Sequence, residues 1–460
     1  MATAILKIFI LFCFFCGALS ACSSRPTQDP DHTSTTTHFD IEHWQTQNGA
    51  EVYFLPTKQP EMLTIRLIFD AASARDGDLP GLAIMTNALI GEGSNEYTAS
   101  EIAKGFESLG AEFATSAHRD MAIIELTTLT EAALLNPSIN LFTQVAGKPN
   151  FPQEAIDRIR NQILVGLKYE QQQPAKLISK AFFAQIYRGH PYGQPSSGTT
   201  ESLKQITRSA LQAFFKQFYV GNNLTVAMVG AINTEQAQEL SEMVASTFSA
   251  GSATAALPAA PQPQPWQQHI NFPSQQTHLM IGSVAVERND KELIALNVGN
   301  EIFGGGGFSS ILNKEIRQQR GLSYSVYSAF SPMQVKGPFF INLQTKTQTA
   351  NEAKILSLQA LQQFLQNGPS NQQLIDSKNS ITGSFPLSVA SNRSMVGFLG
   401  AMGYYSLPLD YLDQYIDQVN AVSAGDVKKA FNKHLSMDNI TVITIGKEAA
   451  TANLNVQSTN

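Results

Sequence analysis

Predominantly apolar runs of strand length occur at residues 64–73, TIRLIFDAAS, 223–230, NLTVAMVG, 277–286, THLMIGSVAV, and 439–446, NITVITIG. Rich in Ile, Val and Thr and closed by Gly or small residues, they predict strands with buried faces. Elsewhere the period lengthens to that of a helix. LQAFFKQF at 211–218 and VKKAFNKH at 427–434 are amphipathic, each precedes one of the Gly-ended runs, and further helices are predicted at 100–109 and 355–366. Residues 81–94, GLAIMTNALIGEGS, predict a helix with a Gly-Glu-Gly stop, and the face where chemistry would sit offers only Asn87 and Ala88.

The runs come in pairs. The Gly-ended strands are 439 − 223 = 216 residues apart and the other two 277 − 64 = 213, so two independent anchors agree within three residues. That agreement predicts a duplicated domain. Strands alternating with longer helices make each copy an α+β unit, a sheet covered by helices. Residues 249–265, SAGSATAALPAAPQPQP, have no period and read as an exposed, semi-rigid linker. The expected boundaries are 43–248 for the first unit, 266–448 for the second and 449–460 for a tail. A chain of 460 residues is too long for one core, in agreement with two domains.

Ahead of the first unit, residues 8–19, IFILFCFFCGAL, form an apolar run preceded by Lys7 and ended by small residues. It is too short to span a bilayer and no stop-transfer pattern follows, so residues 1–21 read as a secretory signal. The boundary LSAC at 19–22 resembles the lipobox of bacterial lipoproteins, which implies a lipidated Cys22 and attachment to a membrane through acyl chains. Ser23 and Ser24, with no Asp, imply the outer membrane of a Gram-negative cell and a periplasmic location. Cys13 and Cys16 leave with the signal, so Cys22 can form neither an internal disulfide nor a Cys-ligated zinc site. Residues 22–42 read as a flexible tether. A net charge of −6 without a Lys/Arg block gives no electrostatic footprint for nucleic acid.

Two tandem α+β units of this length, HPYG at 190–193, a late NxTVxxxG strand in each unit and IRQQRGLSYSV at 316–326 together resemble the pitrilysin/insulysin family of zinc peptidases, which includes the mitochondrial processing peptidase. The resemblance spans nearly all of the chain after the tether. It implies two homologous α/β-sandwich units of the LuxS/processing-peptidase type that form half of a clam-shell chamber. It also implies an inverted zinc motif, H-x-x-E-H, on a helix early in the first unit. There two His one turn apart grip Zn²⁺ through neutral nitrogens, the Glu takes a proton from metal-bound water, and a downstream Glu completes the ligands. That motif falls on GLAIMTNA: Ile84 and Ala88 stand for the His, Asn87 for the Glu, and Gly166 for the downstream ligand, 166 − 88 = 78 residues away. None of the four can bind zinc or deprotonate water, so no metal is expected in this chain. Among the eight His, His118 with Asp120 and Glu125 is the least implausible alternative metal cluster, but His118 and Asp120 read rather as a solvated strand edge, and His190 as a turn residue.

Arg317 and Tyr324 repeat the family's pair of Arg, six residues and Tyr. The resemblance implies that they reach the zinc site of a facing unit, position the peptide and stabilise its oxyanion. Taken by themselves, the two residues read rather as a surface helix position, Arg317, and a core strand position, Tyr324. Bacterial members are often made as two similar polypeptides, which implies here a non-catalytic subunit paired with an H-x-x-E-H homologue that holds the zinc and acts on peptides or proteins. The alternative is a stand-alone peptide-binding or envelope scaffold lipoprotein. The resemblance puts the family's peptide-pairing edge strand at 111–120, AEFATSAHRD, which fits retained peptide contact by β-augmentation and equally simple inheritance of the fold. The Gly run 303–310, FGGGGFSS, lacks the ending of a phosphate loop and reads as a tight turn with Ser309 or Ser310 near the next helix start. Substrate contact by Gly304 to Gly307, as in a longer loop of the mitochondrial non-catalytic subunit, is its second reading.

Overall fold

The computed structural model describes residues 38–448; the signal 1–21, Cys22, most of the tether and the tail 449–460 lie outside them. The strands are β1 Glu42–Gln45, β2 Glu51–Pro56, β3 Met62–Phe69, β4 Glu112–Ala117, β5 Ala122–Leu129, β6 Leu224–Gly230, β7 Trp266–Asn271, β8 Gln276–Val286, β9 Ser323–Phe330, β10 Gly337–Lys346 and β11 Thr441–Gly446. They form two sheets, ordered β1-β2-β6-β3-β5-β4 and β7-β11-β8-β10-β9. In each, one parallel pair, β2 with β6 or β7 with β11, adjoins an antiparallel remainder. Both halves thus follow one α+β plan, and the four strands predicted from apolar runs occupy equivalent places.

The register corrects one offset. Thr225 of β6 stands opposite Ile68, and Thr441 of β11 opposite Gly282. With 441 − 225 = 216, the β3 to β8 spacing is 282 − 68 = 214 rather than 213. Side-chain alternation requires the extra residue: Ile65 and Leu67 enter the first core as Leu279 and Ile281 enter the second. A slip of one would turn every inward side chain outward.

Each sheet is covered on one face by helices of its own half. On the other faces the halves exchange helices. Helix Asn392–Tyr404 of the second half lies across β3 and β6, where Met395, Val396, Leu399 and Met402 pack with Tyr53, Ile68, Ala227 and Val229. Helix Pro174–Ile186 of the first half lies across β8 and β11, where Ile178, Phe182 and Ile186 pack with Met280, Val284, Ile443 and Ile445. Glycine lets the first of these helices sit close. A Cβ at Gly400 would come within 2.9 Å of Ile68 Cδ1, and one at Gly403 within 2.6 Å of Tyr53 Cε2.

A buried carboxylate closes the seam. Asp120 accepts from the Tyr192 phenol, from the Gln334 backbone N–H at 2.8 Å and from the Tyr405 phenol at 3.3 Å, while its carbonyl accepts from the Tyr404 phenol at 2.8 Å. Burial pushes its carboxyl above the usual range. The expected solvated cluster is therefore corrected: His118 is exposed, Asp120 turns inward, and buried Glu125 takes the Arg66 guanidinium, with Nε at 2.6 Å, from the neighbouring strand. His190 caps the turn Pro191–Gly193: its Nδ1 accepts the Tyr192 N–H at 3.1 Å, and its Nε2 donates to the Pro258 carbonyl at 2.9 Å.

Residues 249–265 contain no helix or strand, yet they are pinned rather than free. Gly221 and Asn222 donate to the carbonyls of Ser249 at 2.7 Å and Ala250 at 2.9 Å, and Leu257 is buried. The tether also ends earlier than expected. Phe39 donates its N–H to Asp413 at 2.8 Å and, with Ile41, joins the core beneath helix Asn392–Tyr404.

Because neither sheet has both faces covered by its own half, the two halves are expected to unfold in one transition. Gly403→Ala should destabilise the whole by about 1–3 kcal/mol through overpacking. Gly166→Ala, where an added Cβ meets nothing within 4 Å, should instead stabilise its helix by roughly 0.5–1 kcal/mol. Urea unfolding followed by circular dichroism and tryptophan fluorescence checks both the signs and the coincidence of the probes.

Candidate functional site

The four motif positions lie where helix Leu82–Leu89 packs on helix Gln153–Glu170, next to edge strand β4. Gly81 starts the first helix with φ 96°, a backbone conformation that suits glycine. Buried Asp76 caps it, accepting the Gly81 N–H at 2.8 Å and the Ala83 N–H at 2.7 Å. Burial raises the Asp76 carboxyl to about 7, against the lowering effect of those two bonds. Ile84 and Ala88 are half-buried on one side of the helix, and Gly166 is exposed. Asn87 is buried, and its amide donates to the Ile123 carbonyl and the Tyr219 phenol, each at 3.3 Å. These residues do not fit a zinc ion: two are aliphatic, one has no side chain, and the amide is spent on a structural bridge.

The second group is in the other half. Residues Asn313–Gln318 form a π-helical turn bearing Arg317, next to edge strand β9. Gly321, at φ 61°, then reverses the chain, its N–H bonded to the Arg317 carbonyl at 2.9 Å and that of Leu322 to Ile316 at 2.9 Å. The reversal brings Tyr324, at the start of β9, beside Arg317: the guanidinium carbon lies 4.5 Å from the Tyr324 ring centroid. It also lies 4.6 Å from that of Phe308. Tyr324 is 80% exposed and Phe308 66%, so Tyr324 is no core residue. Arg317 has no ion pair or hydrogen bond from its side chain among the described residues.

The Gly run behaves as the expected turn. Glu301–Gly305 continues helix Leu293–Asn300 as a π turn, and Ser310 Oγ accepts the Asn313 N–H at 3.4 Å at the next helix start. Phe308 and Asp76 were absent from the candidates read in the sequence. The available signals were a large apolar residue inside a Gly/Ser loop and an Asp just upstream of a helix that begins on glycine.

No hydrogen bond or aromatic contact joins the emptied helix to the Arg317 group among the described residues. The described residues also bring Asp290, Glu292 and His434 together. Lys433 already sits 2.8 Å from Glu292, and His434 is held by Glu292 at 3.0 Å and the Ala285 carbonyl at 3.2 Å, which makes an ion-pair network.

With this geometry in view, the likenesses are informative. Residues 54–200 match the family model Insulinase (Peptidase family M16), and residues 205–381 match Peptidase M16 inactive domain. A crystal structure of a peptidase M16 inactive domain from Pseudomonas fluorescens is 39% identical, with a TM-score of 0.87 over 89% of this chain and 99% of that one. The Helicobacter pylori "Non-peptidase homolog YmxG" is 23% identical over 82% of this chain and 87% of its own. The Bacillus subtilis "Uncharacterized zinc protease YmxG" is 21% identical over 83% and 93%.

Two outcomes are expected. Ile84→His, Ala88→His and Gly166→Glu, introduced together, should fit on partly or fully open positions and bind one equivalent of Zn²⁺ in equilibrium dialysis, against none for the native chain. The second concerns pH. An Asp raised to about 7 in the folded state binds a proton that the unfolded chain, near 3.9, releases. Its contribution therefore makes the fold less stable as pH rises from about 4 to 7. Chemical denaturation across that window should show a smaller fall in Asp76→Asn than in the native protein.

Proposed function

The chain belongs to peptidase family M16, and on that premise we propose that it is the non-catalytic subunit of a periplasmic metalloendopeptidase, paired with a homologue that carries H-x-x-E-H and the zinc. The observation that carries this reading is Arg317, whose guanidinium lies over two exposed rings and makes no side-chain hydrogen bond or ion pair among the described residues, in a molecule whose three ligand positions, Ile84, Ala88 and Gly166, hold no metal-binding side chain. An unpaired, oriented guanidinium is suited to a substrate carbonyl oxygen as negative charge gathers on it. The Tyr324 phenol can donate beside it without carrying charge. Among the described residues strand β4 pairs with β5 alone, so its outer edge can take an extended peptide.

Membrane attachment rests on Cys22, through lipid on the mature N-terminus, and the reading places the subunit on the outer membrane facing the periplasm. Among the described residues no helix is long and apolar enough to cross a membrane.

The test is co-purification with the H-x-x-E-H homologue followed by peptide hydrolysis. Arg317→Ala should leave assembly intact by gel filtration and lower kcat by about 10²–10³, the range for loss of one oxyanion donor. An unchanged rate in the assembled pair rejects the shared site, and failure to pair in favour of peptide binding by this chain alone supports the scaffold reading. Cys22→Ser should move the protein from the membrane to the soluble fraction.

A further inference from the structure

Phe308 has two properties that rarely coincide. Its ring is 66% exposed, yet its backbone is fastened in place. The Gln318 side-chain amide donates to its carbonyl at 2.7 Å, tying the loop to the turn that carries Arg317. Ser309 and Ser310 bond back to the carbonyls of Gly306 at 2.8 Å and Gly307 at 2.7 Å. Gly307, at φ 58°, allows the chain to turn outward just before Phe308. Gly304 lets the loop lie against β9, since a Cβ there would come within 2.6 Å of the Ser328 nitrogen. A single exposed apolar side chain is ordinary on a protein surface. This one is set apart by the Arg317 guanidinium that lies over its ring.

We propose that Phe308 is a positioning residue for Arg317. With Tyr324 and Phe308 each offering a ring face to it, the guanidinium is held in place before substrate arrives. A free arginine side chain would have to lose that rotational freedom at each encounter. The ligand that fits is a planar carbonyl or oxyanion oxygen approaching in the plane of the guanidinium. The inference rests on the shared-site reading for its catalytic consequence, but the Phe308–Arg317 contact is testable without it.

The test has two arms. In the assembled pair, Phe308→Leu, which keeps apolar bulk and removes the ring, should lower kcat about tenfold with little change in KM, and Phe308→Tyr should restore it. In an Arg317→Ala background, Phe308→Leu should cost nothing further, because the residue acts through Arg317. In the isolated chain, the rate of phenylglyoxal modification at Arg317, followed by peptide mass mapping, should change in Phe308→Leu and return to the native value in Phe308→Tyr. Unchanged modification in Phe308→Leu, or a loss of kcat that persists without Arg317, overturns the proposal. If Arg317→Ala leaves the pair fully active, the shared site fails, while the modification rates still decide whether Phe308 holds Arg317.

Discussion

A carboxylate removed from water must find donors within the fold, and Asp120 finds most of its donors in the opposite half of the molecule. Tyr192 comes from its own side, whereas Gln334, Tyr404 and Tyr405 come from the other. Separating the halves would remove three of these four donors, so the hydrogen bonds of a buried acid are made only when the halves are together. The helix exchange adds to this constraint. Without helix Asn392–Tyr404 the first sheet would expose Ile68 and Val229, and without helix Pro174–Ile186 the second would expose Met280 and Ile443. The duplicated units are therefore separate in sequence and joined in packing. Even the Pro-rich stretch between them is fastened, through Pro258 to His190 of the HPYG turn.

A fixed seam leaves each half's outer sheet edge available for different use. In the first half, the emptied helix lies beside edge strand β4, while in the second the turn bearing Arg317 lies beside edge strand β9. One plan was copied and the chemistry diverged. The helix that precedes β4, Ala99–Ser108, is closed by a Thr98–Glu101 capping box. Its counterpart before β9 ends in a π turn that presents Arg317. That π turn, followed by the left-handed Gly321, sets the distance between Arg317 and Tyr324, so the spacing of six residues has a conformational cause.

The central strands β3, β6, β8 and β11, the edge strand β4 and five of the helices were legible because periodicity reports burial directly. Helix Arg208–Phe218 and helix Ala424–His434 contain the amphipathic stretches found by pattern alone. Periodicity does not say which sheet does the burying, so the exchange was invisible. The spacing of Gly397, Gly400 and Gly403 was the nearest signal of a helix lying flat on a sheet. Asp120 was misread because strand alternation was carried past Ala117, where β4 ends and the chain turns inward. The offset of 213 erred because similar residues were matched without asking which face they occupy. Phe308 gave no periodic signal, since a single aromatic in a glycine loop belongs to no repeat.

The two groups of site residues have moved in opposite directions with respect to folding. At the motif helix, polar ligands in a half-buried place would work against stability, and their absence leaves an ordinary packed helix. Ala88 packs against the first core, Asn87 bridges Ile123 and Tyr219, and Asp76 closes the helix start. Around Arg317 the reverse holds: two aromatic rings stand in water, and the cation over them has no carboxylate partner among the described residues. Within one duplicated chain, then, the groups of the motif helix are spent on packing, while the cation and rings of the second half contact one another at the surface.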